Sequence, residues 1–242
     1  MRLPAGPLLI VSPHLDDAVF SCSALLGRGE PAEVLVAFAG FPNPPHRGEA
    51  DSKAGFLDSD EAMTVRHSES RNAFADSPHT LTSMGLLPGQ YVNGDRSESD
   101  RRWIVRAILD WLRRSQGGTI ALPAGAGARD QWWRRGREGR PSQDPDHLFA
   151  RDAGLSALRG ISDVRLWLYE EFPLMAGGRA DGAVKRLCTG LGLTAGPFAF
   201  TINRRDKAFR AGVFRSRRAE LGQDLTPATL PVTERYWALS AR

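Results

Sequence analysis

The sequence predicts an α/β protein whose core is a doubly wound, mostly parallel sheet with helices on both faces, and three observations lead there. Apolar runs at 8–11, 34–40, 119–124 and 165–170 are continuous rather than alternating, as strands covered on both faces must be. Segments with helical spacing, at about 61–75, 101–115 and 148–159, are interleaved with these runs. A chain of 242 residues with 41% hydrophobic residues buries one sizeable core. A single domain over 1–242 is therefore expected, with a less regular C-terminal part after about 177.

The elements follow in order. LLIV, bounded by Pro and Ser, opens as a strand; Val19, Phe20, Ser23 and Ala24 then recur near helical spacing, and Gly27 and Gly29 supply a stop before VLVAFAG at 34–40. That is a βαβ unit. FPNPPHRGEADSKAGFLDSDE, over 41–61, is rich in Pro, Gly and charge and reads as a long loop, as does the Gly- and Arg-rich segment at 125–146. Long loops in compact domains are usually functional or disordered. In an open α/β sheet ligands bind beyond the carboxyl ends of the strands, and the loops at 12–16, 41–60 and 125–146 all leave that edge.

Composition limits the partners. Lys and Arg number 32 against 28 Asp and Glu, a net charge of +4, which makes a mildly basic surface and no strongly single-signed field. Cys22 and Cys188 sit in no CxxC or paired spacing, as suits thiols packed in a reducing compartment. The N-terminal LPAGPLLIV is too short to span a membrane and runs into Ser12 and Pro13 without a cleavage pattern. A soluble, cytoplasmic protein with no membrane span is expected.

The chemistry concentrates in VSPHLDDAVFSCSALL, residues 11–26. An aspartate near a helix N-terminus caps unpaired N–H groups, which accounts for one of Asp16 and Asp17 but not for both. His14 and Asp17, three apart across a turn, can instead converge on a cation with Asp16 beside them. QDPDHLFARDA, residues 143–153, adds His147 at the start of another helix, just after a post-strand loop. Two histidines and a carboxylate make three protein ligands and leave the open position of a catalytic zinc site.

PHLDD followed much later by PDH resembles the PIG-L, or LmbE-like, family of zinc-dependent N-deacetylases. The resemblance covers most of the chain and includes RHSESRNAFADSPHTLTSMGLL at 66–87 and ERYW near the end. It implies a Rossmann-like domain acting on N-acetylated amino sugars or their conjugates. His14, Asp17 and His147 would then bind Zn2+, Asp16 would be the general base, and Arg66 and Asp95 would contact sugar. Zinc lowers the pKa of bound water from about 15.7 toward 7, and a neighbouring carboxylate takes the proton and later returns it to the leaving amine.

One position departs from the family pattern. The family usually has histidine two residues before the aspartate of this motif, where this chain has Asp144, and an ionised carboxylate cannot donate to an oxyanion. A raised pKa at Asp144, a substitute donor among His46, His67, His79 or an arginine of the loop such as Arg129, and reduced activity all remain open. Asp144 stands with Asp16 as a candidate catalytic residue.

Plainer readings compete elsewhere. Arg66 and Glu69 fit an ordinary surface pair, and Asp95 after Gly94 fits a turn. Trp132, Trp133, Arg134 and Arg135 fit a sugar-stacking or nucleic-acid platform, or a loop that closes over the site. His46, His67 and His79 are expected at exposed positions, and the basic run at 203–222 as a solvated helix face. The expected partner is a small N-acyl amino sugar, glycoconjugate or specialised metabolite, and no nucleic acid. The rival is a catalytically silent domain that binds an acidic sugar or nucleotide.

Overall fold

The computed structural model describes residues 3–125, 144–172, 180–214 and 226–241. β1 (Leu8–Ser12) is buried along its whole length and lies inside a seven-stranded sheet. β2 (Glu33–Val36) and β4 (Gly118–Pro123) flank it in parallel, β3 (Thr80–Ser83) extends the sheet beyond β2, and β5 (Val164–Tyr169) lies beyond β4. β6 (Leu193–Thr201) and β7 (Thr233–Ala241) finish the sheet in the order β3-β2-β1-β4-β5-β7-β6, with β7 antiparallel to both neighbours.

Side-chain alternation along β1 explains why its run is wholly apolar. Leu8 and Ile10 join a core with Val19, Phe20 and Met63 on one face; Leu9 and Val11 join Ile104, Ile108 and Ala150 on the other. The helices on these faces are α1 (Asp17–Ser21), α2 (Ser23–Leu26), α3 (Glu49–Lys53), α4 (Ser59–Phe74), α5 (Glu98–Ser115), α6 (Pro145–Ala157), α7 (Asp181–Gly190) and α8 (Arg204–Gly212). A Cβ on Gly154 of α6 would lie 2.6 Å from Leu122 Cδ2 on β4, so only glycine permits this helix to pack so closely on the sheet.

Several expectations are corrected. The helix expected after β1 breaks at Cys22 into α1 and α2. The run at 34–40 forms ladder pairs only to Val36, although Ala37 and Phe38 still donate to the carbonyls of Ser12 and Pro13. The long loop at 41–61 contains α3 and the start of α4. The part after 177, irregular by its pattern, supplies α7, α8 and the antiparallel pair β6–β7.

The basic run at 203–222 is not wholly a solvated face. Lys207 is fully buried and donates to Glu234 Oε1 at 2.7 Å. Glu234 also accepts from the backbone N–H groups of Ser23 and Ala24 at 3.0 and 2.8 Å and from the Tyr236 hydroxyl at 2.9 Å. The glutamate of ERYW thus caps α2 and ties it to α8 and β7. Residues 215–225 lie outside the described residues, and no helix among the described ones is long and apolar enough to cross a membrane.

Candidate metal centre

The turn after β1 does not use its aspartates as caps. The Ser12 hydroxyl accepts from the Ala18 N–H at 3.0 Å and donates to the His14 carbonyl at 2.6 Å, while Asp16 at the cap position makes no side-chain cap bond. Asp17 Oδ2 turns back and accepts from the His14 N–H at 2.8 Å. The same oxygen lies 3.3 Å from His14 Nδ1 and 3.3 Å from His147 Nε2. Two imidazole nitrogens from opposite ends of the motif pattern therefore face one carboxylate oxygen, at the carboxyl edge where β1 and β4 run side by side.

Each imidazole is held from behind by a second buried carboxylate. His14 Nε2 lies 2.9 Å from Asp146 Oδ2, and His147 Nδ1 lies 3.2 Å from Glu171 Oε1. Asp146 also accepts from the Gly89 N–H at 2.7 Å and from Arg96 Nε at 2.9 Å, and it pairs with Arg96 Nη2 as well. Arg96 is packed over the Phe38 ring, 3.7 Å from its centroid. Glu171 Oε1 accepts from the Gly125 N–H at 2.8 Å, and Glu171 Oε2 is buried without a hydrogen-bond partner among the described residues.

These carboxylates set the charge of the site. Burial opposes a charged His14, but its hydrogen bonds to Asp146 and Asp17 prevail and raise its pKa to about 10. Burial likewise opposes a charged His147, and Asp17 with Glu171 moves it well above the ordinary histidine value. Burial works against ionised Asp17 and Asp146, yet the histidines, joined by Arg96 at Asp146, hold both below the ordinary aspartate value. The two imidazoles and Arg96 are thus the positive partners of this ring of carboxylates.

The donor set suits a divalent metal. Ligand atoms at ~2.0–2.1 Å from zinc, disposed tetrahedrally, lie about 3.3–3.4 Å apart, and the observed separations from Asp17 Oδ2 are 3.3 Å to each nitrogen. The mixed nitrogen and oxygen donors suit zinc. Among the described residues, the three whose donor atoms all lie within 4.8 Å of one another are His14, Asp144 and His147, a set with Asp144 in the place where Asp17 was expected as a ligand. Asp144 Oδ1 caps α6 by accepting from the Asp146 N–H at 2.9 Å, with Pro145 at the first helical position.

The remaining candidates divide. Asp16 is half-buried beside the cluster in sequence. Arg66 Nη2 lies 3.4 Å from buried Asp51, which also accepts from the Tyr91 hydroxyl at 2.8 Å. Glu69 is itself buried, so the simple surface pair is too plain a reading. Asp95 is exposed in the turn before α5. His79, expected at an exposed position, is instead a core histidine: Nδ1 accepts from the Ala32 N–H at 3.2 Å and Nε2 donates to the Leu26 carbonyl at 2.7 Å. It is removed from the possible oxyanion donors.

His46 is exposed as expected, whereas His67 is half-buried, bonded to the Ala39 carbonyl at 2.8 Å and stacked on Phe41. Arg129, Trp132, Trp133, Arg134 and Arg135 lie outside the described residues.

Asp146, Glu171 and Arg96 escaped the sequence reading as site residues. For Asp146 a signal existed, an acidic residue directly before a ligand-type histidine. Glu171 follows a strand with no spacing relation to the other groups, and only the fold brings it to them.

No family model matches the chain, and no curated protein does. Solved structures do share its fold. The zinc-inhibited form of teicoplanin deacetylase Orf2 superposes with a TM-score of 0.71 at 19% identity, covering 98% of each chain. The N,N'-diacetylchitobiose deacetylase from Pyrococcus horikoshii, with its inhibitor bound, superposes with a TM-score of 0.50 at 11% identity over 90% of this chain and 72% of that one. The 4-carboxy-2-hydroxymuconate hydratase GalB from Pseudomonas putida also superposes with a TM-score of 0.50, at 14% identity over 98% of this chain and 97% of that one. The fold thus carries more than one reaction, and the choice among them rests on the site.

Proposed function

We propose that this chain is a zinc-dependent N-deacetylase of the PIG-L, or LmbE-like, kind, acting on the acylated nitrogen of an amino sugar within a small glycoconjugate or specialised metabolite. The observation that carries the proposal is the meeting of His14 Nδ1 and His147 Nε2 at Asp17 Oδ2, with a separation of 3.3 Å for each. The likeness to the two deacetylases supports the same reading. His14, Asp17 and His147 are the proposed ligands. Zinc held there supplies a Lewis acid that acidifies water and polarises an amide carbonyl.

The chain's own groups do the rest. Asp16 accepts the proton of the attacking water as its oxygen joins the carbonyl carbon. The C–N bond then breaks, and Asp16 returns that proton to nitrogen, because an amide anion is a poor leaving group. Acetate and the free amine result. Arg66, steadied by Asp51, and the exposed Asp95 are assigned to the sugar. Asp144 is assigned to the catalytic edge, where it caps α6 and faces the histidines. The two free, buried cysteines suit a reducing cytoplasm, and the whole chain is read as one domain.

Zinc content and acetate release from N,N'-diacetylchitobiose test the proposal together. Asp16→Asn should keep zinc and lower turnover by roughly 10²–10⁴-fold. His147→Ala should lose the metal. Equal zinc loss in both variants would show that base and ligand have been exchanged. Zinc binding without acetate release from any N-acetyl sugar would favour a binding domain.

A further inference from the structure

Two histidines that hold a metal each have one nitrogen to spare, and the group that takes the proton on that nitrogen decides which atom faces the metal. Here the two backing carboxylates make opposite choices. Each ring also faces Asp17 Oδ2 with its other nitrogen, so the choice is made once a cation takes that side: a carboxylate only accepts, and Asp146 would then keep the remaining proton on Nε2 of His14 and leave Nδ1, whereas Glu171 would keep it on Nδ1 of His147 and leave Nε2. The nitrogens left over are the two that lie 3.3 Å from Asp17 Oδ2. Exchanging either tautomer would turn a ring N–H toward the cation.

The two carboxylates differ in their own surroundings. Asp146 is matched by the Arg96 guanidinium, which is fixed over Phe38. Glu171 has no cationic partner other than His147 among its described contacts, its side chain is 2% exposed, and Oε2 makes no hydrogen bond among the described residues. Burying a carboxylate with an unused oxygen costs stability unless something nearby is positive. The Gly125 N–H at 2.8 Å orients Oε1, and among the described residues His147 is the cationic partner of Glu171. A divalent cation held at Nε2 of His147 would add positive charge on the same side.

We infer that Glu171 and Asp146 are the positioning residues of the metal centre, each fixing one histidine in the tautomer that offers the correct nitrogen, and that Glu171 also supplies negative charge that strengthens metal binding. This rests on the proposed zinc site, and the measurements below separate the two claims.

The parent protein, labelled with ¹⁵N in its histidine rings and loaded with ¹¹³Cd, should show one-bond cadmium–nitrogen coupling to Nδ1 of His14 and Nε2 of His147. Zinc affinity, measured by competition with a chelating dye, should weaken roughly 10–100-fold in Glu171→Gln and in Asp146→Asn. Glu171→Leu, which removes the acceptor as well as the charge, should weaken it further. Should the leucine variant fail to fold, the glutamine variant alone carries the test, because it keeps the shape and an acceptor oxygen.

A role confined to folding would lower the melting temperature of the metal-free protein and leave zinc affinity unchanged. Affinity within twofold of the parent in both Glu171→Gln and Asp146→Asn overturns the inference. Coupling to Nε2 of His14 or Nδ1 of His147 overturns the tautomer assignment. A parent protein that binds neither metal refutes the zinc site itself.

Discussion

Gly89→Ala places a methyl group against the carboxylate behind His14. Gly89 does not have positive φ, so alanine suits its backbone, but the new Cβ would sit 2.7 Å from Asp146 Oδ1. Ordinary contact between such atoms is at about 3.5 Å. Asp146 must therefore yield, and a shift of about 0.8 Å along the bond would stretch the 2.9 Å contact with His14 Nε2 beyond hydrogen-bond range. A hydrogen bond involving charged groups contributes about 1.5–3 kcal/mol. For a domain of this size that corresponds to a fall in melting temperature of roughly 3–12 °C.

Zinc affinity should fall roughly 10–100-fold alongside, as when an outer partner of a ligand histidine is lost. Gly85→Ala is the matched control, because a Cβ there meets nothing within 4 Å. Calorimetry on the metal-free proteins and a chelator competition on the loaded ones give the two readouts. If Gly89→Ala matches Gly85→Ala in both, Asp146 does not position His14.

Three further outcomes are expected. Glu234→Gln should cost about 3–5 kcal/mol, because it leaves fully buried Lys207 without its counter-charge; urea unfolding of the variant measures it, and a change under 1 kcal/mol would be evidence against a buried ion pair. Burial lowers the pKa of His79 in the folded state, so below about pH 6.5 the unfolded chain binds more protons and stability declines with acidification. His79→Gln, followed by denaturation at stepped pH, should remove up to about 1.4 kcal/mol per pH unit of that slope. Asp144→His removes the α6 cap, worth about 1 kcal/mol, and should lower kcat on N,N'-diacetylchitobiose; a rise of roughly 10²–10³-fold would mean that an oxyanion donor was missing.

How much of this was legible follows from what surrounds each element. β1, β4 and β5 announce themselves as apolar runs because both faces of the sheet are covered there. β3 is TLTS, a short and mostly exposed edge strand with nothing apolar to mark it. β6 carries Gly196 and Pro197, residues that argue against a central strand and are tolerated at the sheet edge it occupies. The run at 34–40 overshoots β2 because Ala37, Phe38 and Ala39 remain buried after the ladder ends. That His14, Asp17 and His147 come together could be read from their spacing and their place after the strands. Glu171 could not, since its relation to His147 arises from the parallel pairing of β4 with β5, which delivers Gly125 and Glu171 to the same end.

The position of β7 bears on how the protein is made. Its residues, 233–241, are the last strand in the sequence, yet they lie between β5 and β6 rather than at an edge. During synthesis β6 emerges first and must wait, because its ladder partner has not yet been translated. Until β7 arrives, β5 exposes a row of unpaired backbone groups beside Leu166 and Leu168, an open template for another chain. A chain cut before β7 should therefore show as aggregation rather than as a trimmed but folded protein. Losing β7 would divide the sheet, because it leaves β6 without a ladder partner.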